Sequence, residues 1–583
     1  MISMRLTPCL PPCVRAALPL LCLPLLLGCR STAWHRSTAD RRAGEHIERL
    51  SRDALGRDVP YAFDTPAESL RRRLLADQRL PTRRSIDAVA PDATNAPPVL
   101  SLVDALQIGA AHSREYQNRK EAIFRAALDL DTESEAFRTS WSGVLSGQYR
   151  ADQAADPARR GVTASAEPVL SRTLDIGTEI TTRLAFDLVR LLTLDRDTAY
   201  GLLADASVTV PLLRGAGRRI VREPLTLAER QVVYAMYEFE RYKRTFAVRT
   251  ATEYLGVLER RQQIQNAEDN FRRLALSTER AEQMAEAGRL PATQVDQTRQ
   301  DLLRARERLI AARQDHARQL DAFKLTLGLP VDARIRLDPD ELDRRTARIA
   351  PDPEPVDDGM PAWAEEPRWR GMPARDIIAL ALEHRLDLRR QEGRIEDARR
   401  AVAVARDGLR GVLKVEAGAG FGERRDLGSA DRGDARLRPG SGRYRAILQW
   451  EPPWRRFRER NRYRERLLDL ERAERDYDEL EDAVKQQLRD QLRGLDQARE
   501  SRRTQQRAVA LAERRVESTE LFLQAGRAQV RDVLEAQEAL VSARNAYLAA
   551  SVRYLVTEWG LQRDMDVLTV MDDGRFEPDA FED

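Results

Sequence analysis

The chain has 583 residues, of which 33% are charged and only 6% are aromatic. This composition suits long, solvated helices better than several compact cores. The formal net charge is +3, and the many arginines are interleaved with Asp and Glu, so the charge gives no argument for a nucleic-acid partner. All four cysteines lie at or before Cys29, which excludes a disulfide framework in the rest of the chain.

The N-terminus predicts a lipoprotein signal peptide over residues 1–28. Arg5 and Arg15 make its start positive, the apolar run Ala16–Leu27 follows, and small Gly28 precedes Cys29. The run is too short to span a bilayer as a helix. Cleavage before Cys29 would make this residue the lipid-attachment site, where several acyl chains, palmitate among them, would give stable anchoring. The alternative is an ordinary secretory signal followed by a coincidental cysteine.

Residues 29–99 predict an N-terminal periplasmic tether, because prolines interrupt a polar, arginine-rich stretch that has room only for short helices such as Glu45–Asp53. A first repeat follows over residues 100–330. Helical periodicity predicts helices at Asp104–Phe137, Arg218–Ala285 and Pro291–Leu327. The second of these has no proline after Pro224, and at about 1.5 Å per residue it would be on the order of 100 Å long.

Between the first two helices the period changes to two. Trp141–Tyr149 predicts an outbound strand, and Ala206–Val210 predicts a returning one that ends at Pro211. An extra alternating run at residues 175–190 places Ile180, Leu184 and Leu188 on one face. Three strands cannot return the chain to its starting side. The extra run is therefore either an extracellular hairpin or the true outbound strand, and the sequence leaves both open.

Residues 331–373 are rich in Pro, Asp and Glu and predict a linker. A second repeat follows over residues 374–568, and the tail 569–583 is acidic. The second repeat predicts three helices and two strands, which are Asp376–Arg406, Leu413–Phe421, Tyr444–Trp450, Arg455–Leu523 and Ala528–Gln562.

The two repeats are copies of one helix–strand–strand–helix unit. Five large side chains at seven-residue steps recur 238 residues later, and small alanines recur three residues after them. The first ladder is Val295, Leu302, Leu309, His316 and Phe323, and the second is Val533, Leu540, Tyr547, Tyr554 and Leu561. The opening of the first helix also recurs, with Asp104 and His112 matching Asp376 and His384, 272 residues on. Such a duplication predicts an architecture and not an active site.

The strands have polar residues on one face and apolar residues on the other, as in a half-buried sheet or a lipid-facing barrel. The export signal, a strand length of about ten residues and aromatic side chains near the strand ends favour the membrane. Those aromatics are Trp141, Tyr149, Tyr444, Trp450 and Trp454. About four strands cannot close a barrel, since the smallest need about eight, so the subunit is expected to oligomerise.

With these elements in place, the chain resembles the TolC-like outer-membrane efflux proteins across residues 100 to 568. The motifs that carry the resemblance are Asp104–Ile108, Pro211–Arg218, Ala287–Pro330 and Ala525–Ala536. The resemblance implies a mainly α fold with a transmembrane β-barrel portion. It implies a homotrimer in which a 12-stranded β-barrel continues into a long α-helical barrel. Such a protein is lipid-anchored in the cell outer membrane and extends into the periplasm. It docks a periplasmic adaptor protein and an inner-membrane transporter in a tripartite efflux pump or type I secretion system.

The resemblance also implies where the periplasmic entrance lies. Aspartates narrow it in the family, and Asp532 and Glu535 match them, which gives two acidic rings in a trimer. At Asp532 the alternative is a helix-start carboxylate that the helix dipole stabilises. Gln294 is the corresponding first-repeat residue, and Asp296 is displaced from that position by two residues, so the sequence leaves an acidic ring from that repeat open. Arg527, with nearby Arg531, suggests ion pairs that hold the entrance shut.

Adaptor contact is expected at the turns Gly288–Arg289 and Gly526–Arg527, although the glycines also have a structural reason in ending helices. The five histidines include no pair at metal-ligand spacing, and Gly215–Gly217 lacks the strand, third glycine and lysine of a phosphate loop. No catalytic residue, metal or cofactor is therefore predicted, and the chain is not expected to be an enzyme. The competing interpretation is an envelope coiled-coil scaffold lipoprotein that has no channel.

Overall fold

Helices make up most of the computed structural model, which describes residues 31–56, 69–78, 80, 98–153, 159–192, 198–347, 349, 368–369, 371–429, 434–525 and 527–576. The helices in chain order are α1 Thr32–Leu55, α2 Ser69–Asp77, α3 Leu102–His112, α4 Arg114–Glu135, α5 Arg218–Val221, α6 Glu223–Glu286, α7 Ala292–Thr326, α8 Glu341–Ala347, α9 Ala374–His384, α10 Leu386–Gly408, α11 Phe457–Gln524 and α12 Val530–Asp564. None of the helices in this described part of the chain is both long and apolar enough to cross a membrane.

Six strands form one antiparallel sheet, and four two-residue strands form two small pairs. In chain order the strands are β1 Val99–Leu100, β2 Ser140–Asp152, β3 Arg159–Thr173, β4 Glu179–Leu191, β5 Ala199–Pro211, β6 Arg336–Leu337, β7 Arg368–Trp369, β8 Met372–Pro373, β9 Val412–Glu423 and β10 Arg443–Glu451. The large sheet has the order β10-β9-β5-β4-β3-β2. β1 pairs with β6 in parallel, and β7 pairs with β8.

The described residues form two compact units. The sheet unit contains α1, Ile123–Val233 and Ala403–Asn461, and therefore the whole six-stranded sheet. The helical unit contains Ala62–Ala122, Tyr234–Val402 and Arg462–Asp583.

In the sheet unit, α1 is longer than the predicted helix Glu45–Asp53. Its residues Ala43, Ile47 and Leu50 are buried. Arg42 Nη1 lies 3.4 Å from Asp131 Oδ2, and Arg49 Nη2 lies 3.3 Å from Glu229 Oε1. The segment just after the predicted lipid-attachment site is thus a helix packed on α4 and α6. Cys29 itself lies outside the described residues.

The helical unit has a core that follows the predicted ladders. Val295, Leu309 and Phe323 are buried on α7, and Val533 and Leu561 are buried on α12. A larger cluster joins α6 to α3, α7, α12 and the β1–β6 pair, and it includes Tyr254, whose hydroxyl donates to Leu100 O at 2.9 Å. A second cluster packs α9 and α10 against α11, with Ile377, Leu388, Leu488 and Leu492 at its centre.

The long helices agree with the predictions to within about two residues, apart from three interruptions. The predicted helix Arg218–Ala285 is divided into α5 and α6 at Arg222, whose backbone remains near the helical region, with φ −86° and ψ −2°. The other two interruptions are larger changes of backbone direction. The predicted helix Asp104–Phe137 ends at His112 and restarts at Arg114, because Ser113 is extended, with φ −64° and ψ 125°. The predicted helix Asp376–Arg406 is broken in the same way at Arg385, with φ −64° and ψ 119°. The two breaks occupy equivalent repeat positions, so the interruption is duplicated together with the helix.

The predicted helix–strand–strand–helix unit is correct for the second repeat and wrong for the first, which has four strands. The predicted strands Trp141–Tyr149 and Ala206–Val210 are β2 and β5. The extra run is β4, which pairs directly with β5 from Glu179↔Thr209 to Val189↔Ala199. The sequence does not predict β3, because Pro168 and small residues weaken its strand pattern. Among the described residues the large sheet has six strands, which corrects the expected count of about four per subunit.

Candidate functional site

The predicted entrance residues lie at the two helix turns of the helical unit. At the first turn, Gly288 has a φ of 72° and Arg289 N donates to Met284 O at 2.8 Å. A left-handed residue with this bond is the usual glycine end of a helix. Both Gly288 and Arg289 are exposed. At the second turn Arg527 is exposed, and Arg527 N donates to Phe522 O at 2.8 Å. Gly526 lies outside the described residues.

Asp532 caps the start of α12. Its carboxylate Oδ2 accepts from Gln529 N at 2.8 Å, and it is exposed one turn into the helix. A carboxylate at this position satisfies an unpaired backbone N–H and interacts favourably with the helix dipole. The structural role that the sequence suggests for Asp532 is therefore present in the geometry, beside any role in a pore.

Glu535 lies one turn further along the exposed face of α12. Its Oε1 lies 3.6 Å from Arg515 Nη2 on α11, and both side chains are more than half exposed. An exposed ion pair of this kind contributes little stability. The predicted ion pairs involve Arg527 and Arg531, whereas the pair that the structure gives Glu535 within one chain uses Arg515.

Gln294 lies beside the start of the second hairpin. A cavity of about 30 Å³ between the first turns of α7 and α12 is lined by Gln294, Gln297, Gln529, Arg531 and Leu534. Below it, Leu534 packs with Leu274 and Ala305 in a small apolar cluster. The structure thus brings the predicted first-repeat residue together with the second-repeat tip.

A buried charge cluster in the helical unit is not evident from the sequence, because arginine on a helix face is usually solvated. Arg385, at the break between α9 and α10, is 2% exposed. Its Nη2 donates to Asp387 Oδ2 at 2.8 Å, and its Nη1 donates to Asp564 O at 3.1 Å. Asp566 Oδ2 accepts from Leu386 N at 2.9 Å. The cluster fastens this break to the end of α12.

Burial would raise the pKa of Asp387, but hydrogen bonds from Arg385 and the charge of Arg241 outweigh burial, so its pKa lies below the ordinary value of 3.8. Burial lowers the pKa of Arg241, and neighbouring Arg385 lowers it further. The lowered pKa keeps the Asp387 carboxylate ionised at neutral pH, where it faces both Arg385 and Arg241.

In the sheet unit, all six strands share one apolar and one polar face. The pairing register Leu188↔Tyr200, Phe186↔Leu202, Val208↔Ala417 and Leu448↔Val415 keeps apolar partners side by side. The other face has Asp205, Ser207, Lys414, Glu416 and Arg445. Trp141, Trp450 and Trp454 are 76%, 64% and 81% exposed in the single chain.

The loop after β9 folds onto the polar face at the end of the sheet away from the helices. Asp187 on β4 is buried, and its carboxylate accepts from Arg424 Nη2 and from Arg425 N, both at 3.1 Å. Leu427 packs with Val189, Leu191 and Ala199. A Cβ at Gly161 would lie 2.3 Å from Leu427, and one at Gly201 would lie 2.6 Å from Arg425 N. The glycines make room for the loop.

Residues 377–563 match the family model of the outer membrane efflux protein. No curated protein matches the sequence. Among solved structures, the CmeC outer membrane channel of Campylobacter jejuni has a TM-score of 0.56 at 12% identity, over 86% of this chain and 95% of that one. The outer membrane protein VceC of Vibrio cholerae has a TM-score of 0.56 at 14% identity, over 80% and 96%. CusC, described as forming a transmembrane channel, has a TM-score of 0.56 at 13% identity, over 82% and 95%.

At these identities the structural likeness concerns the fold alone, and the family match covers the second repeat. Together they confirm the resemblance found from the sequence: the chain has an outer membrane efflux protein domain at residues 377–563, within the fold of the outer-membrane channels.

Proposed function

We propose that this chain is the exit duct of a tripartite efflux pump or type I secretion system. It works as a homotrimer in the outer membrane, anchored by acyl chains on Cys29 and extending into the periplasm. It performs no catalysis. A periplasmic adaptor and an inner-membrane transporter supply the substrate and the energy. The observation that carries the proposal is the mainly apolar face that continues across six strands of an open sheet, from Trp141 on β2 to Leu448 on β10.

An apolar sheet face opposite a polar one is the pattern of a strand set with lipid on one side and water on the other. Lipid offers no hydrogen-bond partner for an open sheet edge, so the edges must be closed by other strands. Among the described residues no strand covers the outer edge of β2 or β10. Closure therefore comes from further copies, and the polar face becomes the lining of a water-filled pore.

The direct test is ion conductance of the purified protein in a planar lipid bilayer. The duct gives stable single channels, and the protein migrates as an oligomer in SDS until it is heated. A coiled-coil scaffold lipoprotein gives no channels and no heat-modifiable band. That second result, with the protein correctly folded by circular dichroism, would overturn the proposal.

We place the periplasmic constriction at Asp532, Glu535, Gln294 and Arg527. In a trimer, the exposed carboxylates of Asp532 and Glu535 form rings that favour cations and repel anions. Because Asp532 also caps α12, Asp532→Asn is the useful change, since asparagine retains a capping oxygen.

The double variant Asp532→Asn, Glu535→Gln should lose cation selectivity and show a changed conductance. Glu538→Gln is the matched control, because Glu538 lies on the same helix and pairs with Arg308 on α7. Reversal potentials measured across a salt gradient report the selectivity directly. Equal reversal potentials for the double variant and the wild type would remove these residues from the constriction.

We place the adaptor contact at Gly288, Arg289, Gly526 and Arg527. Arg289 and Arg527 are exposed at the turns, and reversing their charge leaves the glycine geometry intact. Arg289→Glu with Arg527→Glu should reduce export in cells that contain the whole pump, while the amount of SDS-resistant oligomer stays at the wild-type value. Because Arg527 is also placed in the constriction, Arg289→Glu alone is the variant that should reduce export at wild-type conductance. Arg299→Glu, on α7 beyond the turn, is the control. Undiminished export by the double variant would contradict this placement.

A further inference from the structure

The large sheet has six strands, which is two more than each subunit would contribute to a twelve-stranded trimeric barrel. We infer that each subunit contributes all six strands, and that the free edge of β2 pairs with the free edge of β10 from a second copy of the chain. A trimer then closes a barrel of eighteen strands rather than the twelve that the family resemblance implies. The inference rests on the proposed trimeric duct. The cross-linking experiment can contradict the six-strand contribution without contradicting the duct.

The first observation is that the β2–β3 hairpin continues the apolar face of the other four strands. The register Trp141↔Leu170, Leu145↔Ala166 and Tyr149↔Val162 puts these pairs on one face. β3 passes the same face to β4 through Ala164↔Leu188 and Ala166↔Phe186. The opposite face is mainly polar, with Ser142, Ser146, Gln148, Ser165 and Glu167 beside Val144 and Val169. A hairpin projecting into water has no need for this division.

The second observation is that the turn between β3 and β4 is fixed at the helix side of the sheet. Gly217 N donates to Ile176 O at 3.3 Å. Asp175 Oδ2 lies 3.6 Å from Arg218 Nε and 3.5 Å from Arg222 Nη1. Gly177 has a φ of 89°, and a Cβ there would lie 2.8 Å from Gly215 O. The turn is thus packed against the segment that leads from β5 into α6, at the level where the strands give way to helices.

The third observation is that the free edges of β2 and β10 have opposite strand directions and exposed apolar side chains. Five antiparallel pairings separate β2 from β10, so β2 and β10 run in opposite directions and two copies can pair edge to edge in the same antiparallel way. Val144 and Leu145 on β2, and Tyr444 and Leu448 on β10, are exposed in the single chain. In lipid such edges carry unpaired backbone groups that only another strand can satisfy.

The paired residues also shift along the strands from one strand to the next, as they do in a closed barrel. Following partners across the sheet from Ser140, at the helix-side end of β2, leads to Arg445 on β10, six residues before the helix-side end of that strand at Glu451. The drift is about one residue per strand. At about 3.3 Å per residue and 4.8 Å per strand it corresponds to a tilt of roughly 35°, which is within the range of barrels.

A twelve-stranded ring would require the edge of β4 to accept the neighbouring copy. That edge is already paired with β3 from Gly161↔Leu191 to Thr173↔Glu179, so the ring would have to break this ladder and leave the hairpin outside. Because barrel diameter grows roughly in proportion to strand number, eighteen strands give a pore about half again as wide.

Disulfide trapping tests the inference, because the four native cysteines all lie at or before Cys29. Ser142→Cys and Ser146→Cys on β2 are combined in turn with Arg445→Cys, Ile447→Cys and Gln449→Cys on β10, all on the polar face. Arg183→Cys on β4 with the same β10 cysteines is the matched pair for a twelve-stranded ring. Membranes are oxidised, and covalent oligomers are counted on non-reducing gels.

We expect covalent trimers from one β2–β10 register and none from the β4–β10 pairs. Trimers from β4–β10 pairs would overturn the six-strand contribution and leave the trimeric duct standing. The six-strand contribution is likewise overturned if no β2–β10 pair cross-links although the protein still runs as a heat-sensitive trimer. A monomer that cross-links through neither pair would overturn the proposed function itself. Leu448→Cys, on the apolar face, should cross-link with neither β2 cysteine and controls for random collision.

Discussion

The six-stranded sheet and the helical unit differ in how much apolar surface one chain leaves exposed. In the helical unit, Ile377 and Leu488 are fully buried by neighbours from the same chain. In the sheet, Leu145 is 48% exposed and Trp450 is 64% exposed, although both belong to a continuous apolar face. The helical unit thus builds buried cores within one chain, although Leu303, Leu325 and Leu511 on its helices are more than 60% exposed. Under the proposed function, lipid and further copies cover the apolar face of the sheet. Within the repeats, side chains buried inside one chain stabilise the helical unit, whereas the exposed apolar face of the sheet is the surface for assembly under the proposed function.

The largest effect is expected from the buried charges of the helical unit. Arg385→Ala would leave the buried carboxylate of Asp387 without the arginine that donates two hydrogen bonds to it, and breaking such a pair costs about 3–5 kcal/mol. We expect a large fall in the thermal unfolding temperature of the detergent-solubilised protein. Arg389→Ala, in the next turn and exposed, is the control and should behave like the wild type. Equal melting of the two variants would mean that the cluster does not stabilise the fold.

Truncating one leucine in each region compares how much a large apolar side chain contributes to the free energy of unfolding in the two regions. Leu488→Ala removes a fully buried side chain and should cost about 2–5 kcal/mol. Leu145→Ala truncates a side chain of the exposed apolar face and should cost less than about 1 kcal/mol, since under the proposed function lipid and not protein covers it. Thermal melts followed by circular dichroism measure both. If Leu145→Ala were as costly as Leu488→Ala, the sheet face would be packed on protein instead of lipid.

The loop on the polar face offers a smaller effect within the sheet unit. Asp187→Ala removes the carboxylate that holds Arg424, and a hydrogen bond to a charged group is worth about 1.5–3 kcal/mol. Cleavage that passes through local opening should then speed up about tenfold or more. Trypsin added to intact cells should cut at Arg424, Arg425, Arg436 or Arg438. Asp205→Ala, on the same face of β5, is the comparison, and equal cleavage of both variants would show that Asp187 does not hold the loop.

The smallest effect is expected on the pH dependence of stability, through His316 on α7 of the helical unit. Burial lowers the pKa of His316 below 6.5, and the charge of Arg261 lowers it further. The folded state therefore favours the neutral ring. This stability is present above about pH 6.5 and is lost as the pH falls through the lower folded-state pKa. His316→Leu should reduce the fall in melting temperature between about pH 7 and pH 5. His384→Leu, an exposed histidine on α9, is the control, and unchanged slopes in both variants would remove His316 from this role.

The duplicated helices could be predicted closely because their signals are local. Seven-residue ladders from Val295 and Val533, together with the glycine at Gly288, define α7 and α12 within a few residues. The breaks at Ser113 and Arg385 could not be predicted in this way, because neither residue is a glycine or proline and the extended backbone depends on long-range contacts. At Arg385 those contacts come from Asp564 and Gln487.

The entrance residues are proposed from the family resemblance, and no local signal in the sequence gives them that role. The structure adds the cap at Asp532 and the pair between Glu535 and Arg515. The loop contact at Asp187 was missed because its partners lie 237 residues or more away in sequence. Gly161 and Gly201 were the only local signals. β3 was missed because Pro168 interrupts its pattern, although a proline is tolerated there next to Gly143 of β2.

The additional strands of the first repeat come as a hairpin, and a hairpin returns the chain to the side from which it left. Adding one therefore leaves every helix where it was, whereas adding a single strand would reverse the rest of the polypeptide across the membrane. In a threefold ring each added hairpin counts as six strands. Under the proposed function the number of barrel strands therefore changes in steps of six, and a short insertion between α4 and β4 is enough for one step without any change in the helical unit.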